Sequence, residues 1–172
     1  VGGAKFSYTA SAAGHERGIG YTEGLQGLCI TAGEADCGVE QVITGLKPST
    51  TYTVYWDWNV SRGMGKVTTT GAATNVDRRS TTPHYVRGSG CFTTDTGGGV
   101  RLRLLTGAPD SMVVFDNISV EEGLLLSEQA PGATQDLIDN GGFELCSGRG
   151  GAAPDKWSGV GGAKFSYTAS AA

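Results

Sequence analysis

The chain has 172 residues, which is long enough for one domain with a substantial hydrophobic core. Charged residues make up 17% of it and the formal net charge is −4, which disfavours nucleic acid as a partner because phosphate binding requires a basic surface. No stretch approaches the roughly 20 consecutive apolar residues that a membrane-spanning helix needs. The 29 glycines, together with many Ser and Thr residues, predict short strands joined by turns and no helix of any length.

The opening segment of the chain recurs without a change at its end. Residues 1–13 read VGGAKFSYTASAA, and residues 160–172 repeat them. Apolar and polar residues alternate in this segment, which predicts a half-buried β-strand. We expect a sheet to have one position for such a strand, so that the second copy is either spare or pairs with a neighbouring chain.

Three interpretations of the duplication remain open. The chain is a slice of a tandem array, a subunit that donates a strand to the next subunit, or an engineered circular permutant with overlapping ends. We expect the array joined by strand addition, in which the partners are copies of the same chain and the function is that of a structural unit in an extracellular filament. The residues expected to complete a neighbour's sheet are Ala4, Phe6, Tyr8, Ala163, Phe165 and Tyr167.

Four cysteines allow three disulfide pairings. Cys29 and Cys37 flank a turn between strands predicted at residues 25–31 and 39–44, which we expect to pair as a hairpin closed by a disulfide. Cys91 and Cys146 would then pair by elimination, and such bridges favour an extracellular location. The alternative is four buried thiols in a cytosolic protein.

The remaining strands alternate with turns along the chain. The sequence predicts them at residues 51–60, 66–70, 91–94, 100–105, 113–120 and 137–144. The rest of residues 61–90 reads as a polar loop. Composition changes after residue 122, so we divide the chain into a main unit (residues 1–122), a linker (residues 123–134) and the opening strands of the next or permuted unit (residues 135–172).

The strand at residues 51–60 has the clearest pattern, with Trp56 and Trp58 on the face expected to be buried. Its other face carries a tyrosine and two polar residues. Two arginines of the strand at residues 100–105 face outward, and we expect them on the same concave sheet, where the combined set would form a polysaccharide-binding cleft. The alternative is a cross-strand Asp–Arg surface pairing worth under about 1 kcal/mol. The candidate carbohydrate-binding residues are Tyr55, Asp57, Asn59, Arg101 and Arg103.

Three short motifs resemble carbohydrate-binding-module jelly rolls of the family 4/9/22 type. They are DNGGFE at residues 139–144, GLKP followed by TYTV at residues 45–54, and VFDNISV at residues 114–120. The resemblance covers most of the chain when it is read in circularly permuted or tandem-repeat register. It implies an all-β jelly-roll sandwich of two antiparallel sheets, here with a duplicated terminal strand, and a polysaccharide as a partner.

The resemblance also implies a structural calcium ion near the first and last strands. Asp116 and Glu144 occupy the matching positions, with Asn140 close by, and Ca²⁺ prefers such oxygen ligands. The alternative is that Asp116 caps a turn and Glu144 is solvated. Since no Ser–His–Asp or Cys–His set and no G-x-S-x-G motif appears, we expect a protein that is not an enzyme.

Overall fold

The computed structural model describes residues 5–10, 26–124, 137–139, 141–143, 154–161 and 164–167, with the backbone alone for residues 5–10, 26 and 164–167. These residues form eleven strands and no helix, so none of them belongs to a helix that could cross a membrane. The strands are β1 (Lys5–Ala10), β2 (Gln26–Ala32), β3 (Gly38–Ile43), β4 (Thr51–Arg62), β5 (Gly65–Thr70), β6 (Asp77–Ser80), β7 (Val86–Thr93), β8 (Val100–Thr106), β9 (Ser111–Glu122), β10 (Ser158–Val160) and β11 (Lys164–Tyr167).

The strands form two sheets that enclose one core. Sheet A has the order β11-β1-β2-β9-β4-β7, and sheet B has the order β10-β3-β8-β5-β6. All neighbouring strands are antiparallel except β1 and β11. Apolar residues of both sheets meet in a single buried cluster. The predicted jelly-roll β-sandwich of two antiparallel sheets is therefore confirmed.

Strand β4 supplies the aromatic centre of the core. Trp56 and Trp58 lie on the same side of the strand and are both buried, with their rings edge to face and the centroids 5.6 Å apart. Tyr52 stacks on Phe92 of β7 at 5.7 Å. The period-2 alternation that predicted this buried face is confirmed, because alternate side chains of a strand point to opposite sides of its sheet.

The strands predicted at residues 25–31 and 39–44 form, but they do not pair with each other. β2 pairs with β1 and β9 in sheet A, whereas β3 pairs with β8 and β10 in sheet B. The short connection between them therefore crosses from one sheet to the other. The predicted hairpin is wrong because the sequence signal for a turn does not distinguish a hairpin from a crossover between two layers.

This crossover separates the two cysteines that the hairpin was expected to join. Cys29 lies opposite Val114 in sheet A, on the side away from the core, whereas Cys37 packs with Val39 in the core. Cys37 is a free thiol, so the predicted Cys29–Cys37 disulfide is not formed. Cys91 is also a free thiol; its predicted partner, Cys146, lies outside the described residues.

Burial predicts which of these thiols reacts first. Burial and the nearby carboxylates of Glu34 and Asp36 raise the pKa of the Cys37 thiol, and the thiolate is the reactive form. We expect iodoacetamide to alkylate the half-buried Cys91 before Cys37 in the folded protein, and to alkylate both after unfolding without a reductant. Peptide mass mapping measures both rates. A Cys37 that reacts only after reduction would show a disulfide and contradict this structure.

Three of the described residues beyond 136 pack into the same core as strands β2 to β9. Ile138, Phe143 and Trp157 are all buried there, and the rings of Phe143 and Trp157 lie 5.4 Å apart. The Ile118 amide donates to the Gly141 carbonyl at 3.1 Å. The described part of residues 137–144 forms turns, so the strand predicted there is wrong, and Phe143 itself has a φ of 58°. The division into a unit, a linker and a next or permuted unit stays a prediction.

The described strands of the two repeat copies, β1 and β11, lie side by side in sheet A. β11 pairs with β1 in parallel, and identical residues are opposite each other, from Lys5↔Lys164 to Tyr8↔Tyr167. Our expectation that one sheet has no second position for the segment is therefore wrong, because the second copy extends sheet A at its edge. Ala4 and Ala163 lie outside the described residues, and donation of a strand to another chain stays a prediction.

Candidate functional site

The candidate site is the side of sheet A that faces away from the core. Tyr55, Asp57 and Asn59 of β4 lie there, as the alternation predicted, because Trp56 and Trp58 between them point into the core. Strands β7 and β9 flank β4 and add side chains to the same surface. We call this side the polar face of sheet A, and it comprises Tyr55, Asp57, Asn59, Arg87, Asp116 and Asn117. Asp57, Asn59 and Asp116 are buried there, and Arg87 is exposed.

An ion pair lies at the centre of the polar face. Arg87 is opposite Asp57 in the β4–β7 register. Its Nε donates to Asp57 Oδ1 at 2.9 Å, and its Nη2 donates to Asp57 Oδ2 at 3.2 Å. The Arg87 side chain is 45% exposed, whereas that of Asp57 is 10% exposed. A two-point contact of this kind fixes the orientation of the guanidinium plane, which remains accessible from solvent.

A β-bulge in β9 brings a third polar group to the carboxylate of Asp57. Between Tyr55↔Ser119 and Asp57↔Asp116, β9 contains one residue more than β4. The backbone of Asn117 takes a left-handed conformation there, with φ 51°, which Asn tolerates better than most residues. Asn117 Nδ2 donates to Asp57 Oδ2 at 3.2 Å, and the Asn117 amide donates to Asp116 Oδ1 at 2.8 Å. The bulge therefore makes Asn117 part of the polar face.

Two tyrosines lie near this ion pair, since Arg87 acts on Tyr55 and Asp57 acts on Tyr85 electrostatically. Burial, followed by the Glu121 carboxylate, raises the pKa of the half-buried Tyr55 phenol. Burial, followed by the carboxylate of Asp116, also raises the pKa of Tyr85, which comes just before β7. Both phenols therefore stay protonated at neutral pH and can donate hydrogen bonds. Aromatic rings beside planar polar groups suit the C–H faces and hydroxyl groups of sugars.

Arg101 and Arg103 do not belong to the polar face. They lie in β8 of sheet B, where both bind Glu40 of β3: Arg101 Nη1 is 3.0 Å from Oε1, and Arg103 Nε is 3.0 Å from Oε2. The prediction that they share a concave sheet with Tyr55 is wrong. Alternation correctly indicates that they face outward, but it does not say from which of the two sheets.

Arg87 and Asn117 were not predicted from the sequence as members of a carbohydrate-binding site, whereas Tyr85 was expected to lie in a loop from which it could reach a ligand or a neighbouring unit. The sequence predicts a loop at Arg87, because the strand predicted there starts only at Cys91. In the structure β7 already begins at Val86, five residues earlier. Gly88 and Gly90 obscured the alternation of β7, in which they occupy positions facing Trp56 and Val76. The signal that would have found Arg87 is its place in an alternating series with Ser89 and Cys91. No local pattern marks the bulge at Asn117.

Of the three residues predicted to bind calcium, the structure describes one, Asp116. Asp116 is fully buried in the polar face, whereas Asn140 and Glu144 lie outside the described residues. Within the described part of the chain, no group of three or more His, Cys, Asp or Glu side chains is arranged to hold a metal ion. Calcium binding stays a prediction.

Solved structures with the same architecture include two carbohydrate-binding modules of Xyn10C. The CBM22-1 xylan-binding domain of Paenibacillus barcinonensis Xyn10C has 15% identity to this chain, a TM-score of 0.51, and coverage of 70% of this chain and 81% of that domain. A ligand-free PbXyn10C carbohydrate-binding module has 18% identity and a TM-score of 0.53, with coverage of 78% and 80%. The fold is a jelly roll that resembles those of these two carbohydrate-binding modules. No protein-family model matches the chain, and no curated protein matches its sequence.

The same jelly roll also occurs inside a larger protein of another kind. The enzymatically active domain of bacteriophage CBA120 tailspike protein 4 has 6% identity and a TM-score of 0.50, with coverage of 70% of this chain and 19% of that chain. At these identities the likeness defines the fold. Because one fold serves several functions, the function of this carbohydrate-binding-module-like domain has to be argued from its own side chains.

Proposed function

We propose that this domain is a non-catalytic carbohydrate-binding module that binds a polysaccharide on the polar face of sheet A. The observation that carries the proposal is the half-exposed guanidinium of Arg87, held in plane by Asp57 next to Tyr55. A planar donor group and an aromatic ring on one sheet surface are the two elements that a sugar site requires.

Preorganisation gives this arrangement its value for binding. Asp57 accepts hydrogen bonds from Arg87 and Asn117, so the guanidinium is fixed before a ligand arrives. Ordering a long side chain on binding costs about 0.5–1.5 kcal/mol, and the ion pair reduces that cost. The partner is an uncharged or weakly charged polysaccharide, in keeping with the domain's net charge of −4.

Burial of the acidic residues supports binding rather than catalysis. Asp57 and Asp116 are opposite each other on β4 and β9, and a pair of carboxylates is the requirement for glycoside cleavage. Asp116 has no exposed surface, however, and Asp57 is engaged by Arg87. A glycosidic bond therefore has no access to both carboxylates together.

Loss of the Arg87 guanidinium tests the site. We expect Arg87→Ala to weaken polysaccharide binding by at least about tenfold, since a hydrogen bond to a charged group contributes about 1.5–3 kcal/mol. Affinity electrophoresis against a panel of soluble plant polysaccharides, followed by calorimetry, measures this change. Xylan belongs in the panel because the similar CBM22-1 domain binds it.

Arg101→Ala is the matched control. Arg101 is also 45% exposed and also forms an ion pair, but it lies on sheet B, so its removal should leave affinity unchanged. Tyr55→Ala, as a separate single substitution on the polar face, should also weaken polysaccharide binding. Equal losses for Arg87→Ala and Arg101→Ala, or no binding to any polysaccharide in the panel, would refute the proposal.

A structural unit of an extracellular filament is the second candidate function. It is favoured by the in-register pairing of β1 with β11, which brings two identical segments to one sheet edge. It is the weaker candidate because that pairing joins two segments of a single chain. The two roles are compatible, since the edge strands and the polar face are different parts of sheet A, and both roles belong outside the cell.

A further inference from the structure

The two copies of the repeat occupy unequal positions in sheet A. β1 pairs with β2 over six residue pairs, from Lys5↔Thr31 to Ala10↔Gln26, and also with β11. β11 pairs over four residue pairs with β1 alone among the described strands, and it forms the edge of the sheet. Fewer backbone hydrogen bonds therefore hold the outer copy than the inner one, and the outer copy is the easier to release.

Either copy can make the same pairs with β2. Residues 1–13 and 160–172 are identical, so the backbone groups and residue types that would meet β2 are the same for both. The register places Phe6 opposite Ile30 and Tyr8 opposite Leu28, and Leu28 and Ile30 are core residues. The same register with the second copy would bring Phe165 and Tyr167 to these positions. The position beside β2 thus cannot distinguish the copies by sequence.

Short stretches of chain link both repeat copies to the sandwich. The first copy leads into β2 through residues 11–25, and the second follows β10 after three intervening residues, 161–163. β10 itself is anchored to β3 of sheet B. Exchange between copies replaces the pairs with β2 by pairs between the same residue types. Under this condition, swapping a segment between molecules costs little free energy.

One pair of like charges destabilises the pairing of β11 with β1. The parallel register places Lys5 opposite Lys164, and like charges at directly opposite positions destabilise a strand pair. In the position beside β2, the same lysine is opposite Thr31 instead. The second copy is therefore better placed beside a β2 strand than beside the first copy, and a second molecule supplies such a strand.

We propose that the position beside β2 in one molecule accepts the second repeat copy, residues 164–167, of another molecule of this chain, so that the protein forms strand-exchanged oligomers. The occupant is a second molecule of this chain rather than an unrelated peptide, because β1, the strand that lies beside β2 in this position, has the sequence of the repeat. This exchange is independent of polysaccharide binding, which uses other residues of sheet A.

Light scattering after size-exclusion chromatography of the full chain tests the exchange. We expect the average mass to rise above the monomer mass between micromolar and near-millimolar protein. A double substitution in the second copy, Phe165→Asp with Tyr167→Asp, should return the protein to a monomer. Val42→Asp is the matched control, because Val42 is an exposed apolar residue on sheet B, and it should leave the oligomers unchanged.

A competition experiment with the unmodified protein removes any dependence on variant folding. A synthetic peptide of residues 160–172 in excess should reduce the oligomer mass, whereas the same peptide with Phe165→Asp and Tyr167→Asp should not. A full chain that stays monomeric over the whole concentration range would overturn the proposal. So would oligomers that persist both in the second-copy variant and in excess peptide, since they would use another surface.

Discussion

Phe143→Ala is expected to lower the free energy of unfolding by about 3–5 kcal/mol, the range for truncating a fully buried aromatic side chain. Phe143 has no exposed surface and packs on Trp157 with the ring centroids 5.4 Å apart. Its removal leaves a cavity beside Trp157 in the core, and the cavity adds to the transfer free energy that is lost with the ring. Chemical denaturation followed by tryptophan fluorescence measures the loss.

Leu124→Ala is the control for this substitution. Leu124 is 69% exposed and comes just after β9, so its truncation should change stability by no more than about 0.5 kcal/mol. If Phe143→Ala had an equally small effect, residues 141–143 would not be part of the core. The comparison therefore tests whether the segment beyond residue 136 completes the sandwich built from β2 to β9.

Local pattern was sufficient to predict most strands and their buried faces. The alternation in β4 separates Trp56 and Trp58 from Tyr55, Asp57 and Asn59, and the structure confirms both groups. This works because the side-chain period of a strand is a property of the backbone and requires no knowledge of its neighbours. The sandwich class was implied by the resemblance to carbohydrate-binding-module jelly rolls, and the pattern agrees with it, since a strand with one apolar face requires a second layer to cover it.

Pairing between strands could not be predicted in the same way. The turn between β2 and β3 looks like a hairpin turn, but the strands belong to different sheets. The outward direction of Arg101 and Arg103 was correct, although their sheet was not. Both errors have one cause: the partner of a strand is chosen by packing over the whole chain, and a short window of sequence carries little information about it.

The composition of the polar face depends on the same non-local choices. Asp57 meets Arg87 because β4 pairs with β7, and it meets Asn117 because β9 bulges on the other side of β4. No two of these residues are close in sequence. A site assembled across three strands can be recognised only once the register is known. The alternation in β4 was therefore enough to place Tyr55, Asp57 and Asn59 on one face, but it could not show that Arg87 lies beside them.

Gly38→Ala is expected to cost about 3 kcal/mol, at the upper end of the usual range for overpacking a core. A Cβ atom at Gly38 would collide with the carbonyl oxygen of Leu104 and lie 2.9 Å from the Cα of Leu105. Both are backbone atoms of β8, so no side-chain rotation relieves the clash. Relief would require β3 and β8 to separate, and these strands hold Glu40 against Arg103.

Gly33 follows the last residue of β2. We expect Gly33→Ala to change the free energy of unfolding in the opposite direction, that is, to stabilise the protein. No atom lies within 4 Å of a Cβ placed at Gly33, and alanine reduces the entropy of the unfolded chain, which stabilises a protein by about 0.4–1 kcal/mol where the backbone conformation permits it. Parallel denaturation of the two variants measures both effects. If Gly38→Ala cost no more than a few tenths of a kcal/mol, β3 and β8 would not be packed at the register described. Opposite signs for the two variants would establish the close approach of these backbones as the reason that residue 38 is a glycine.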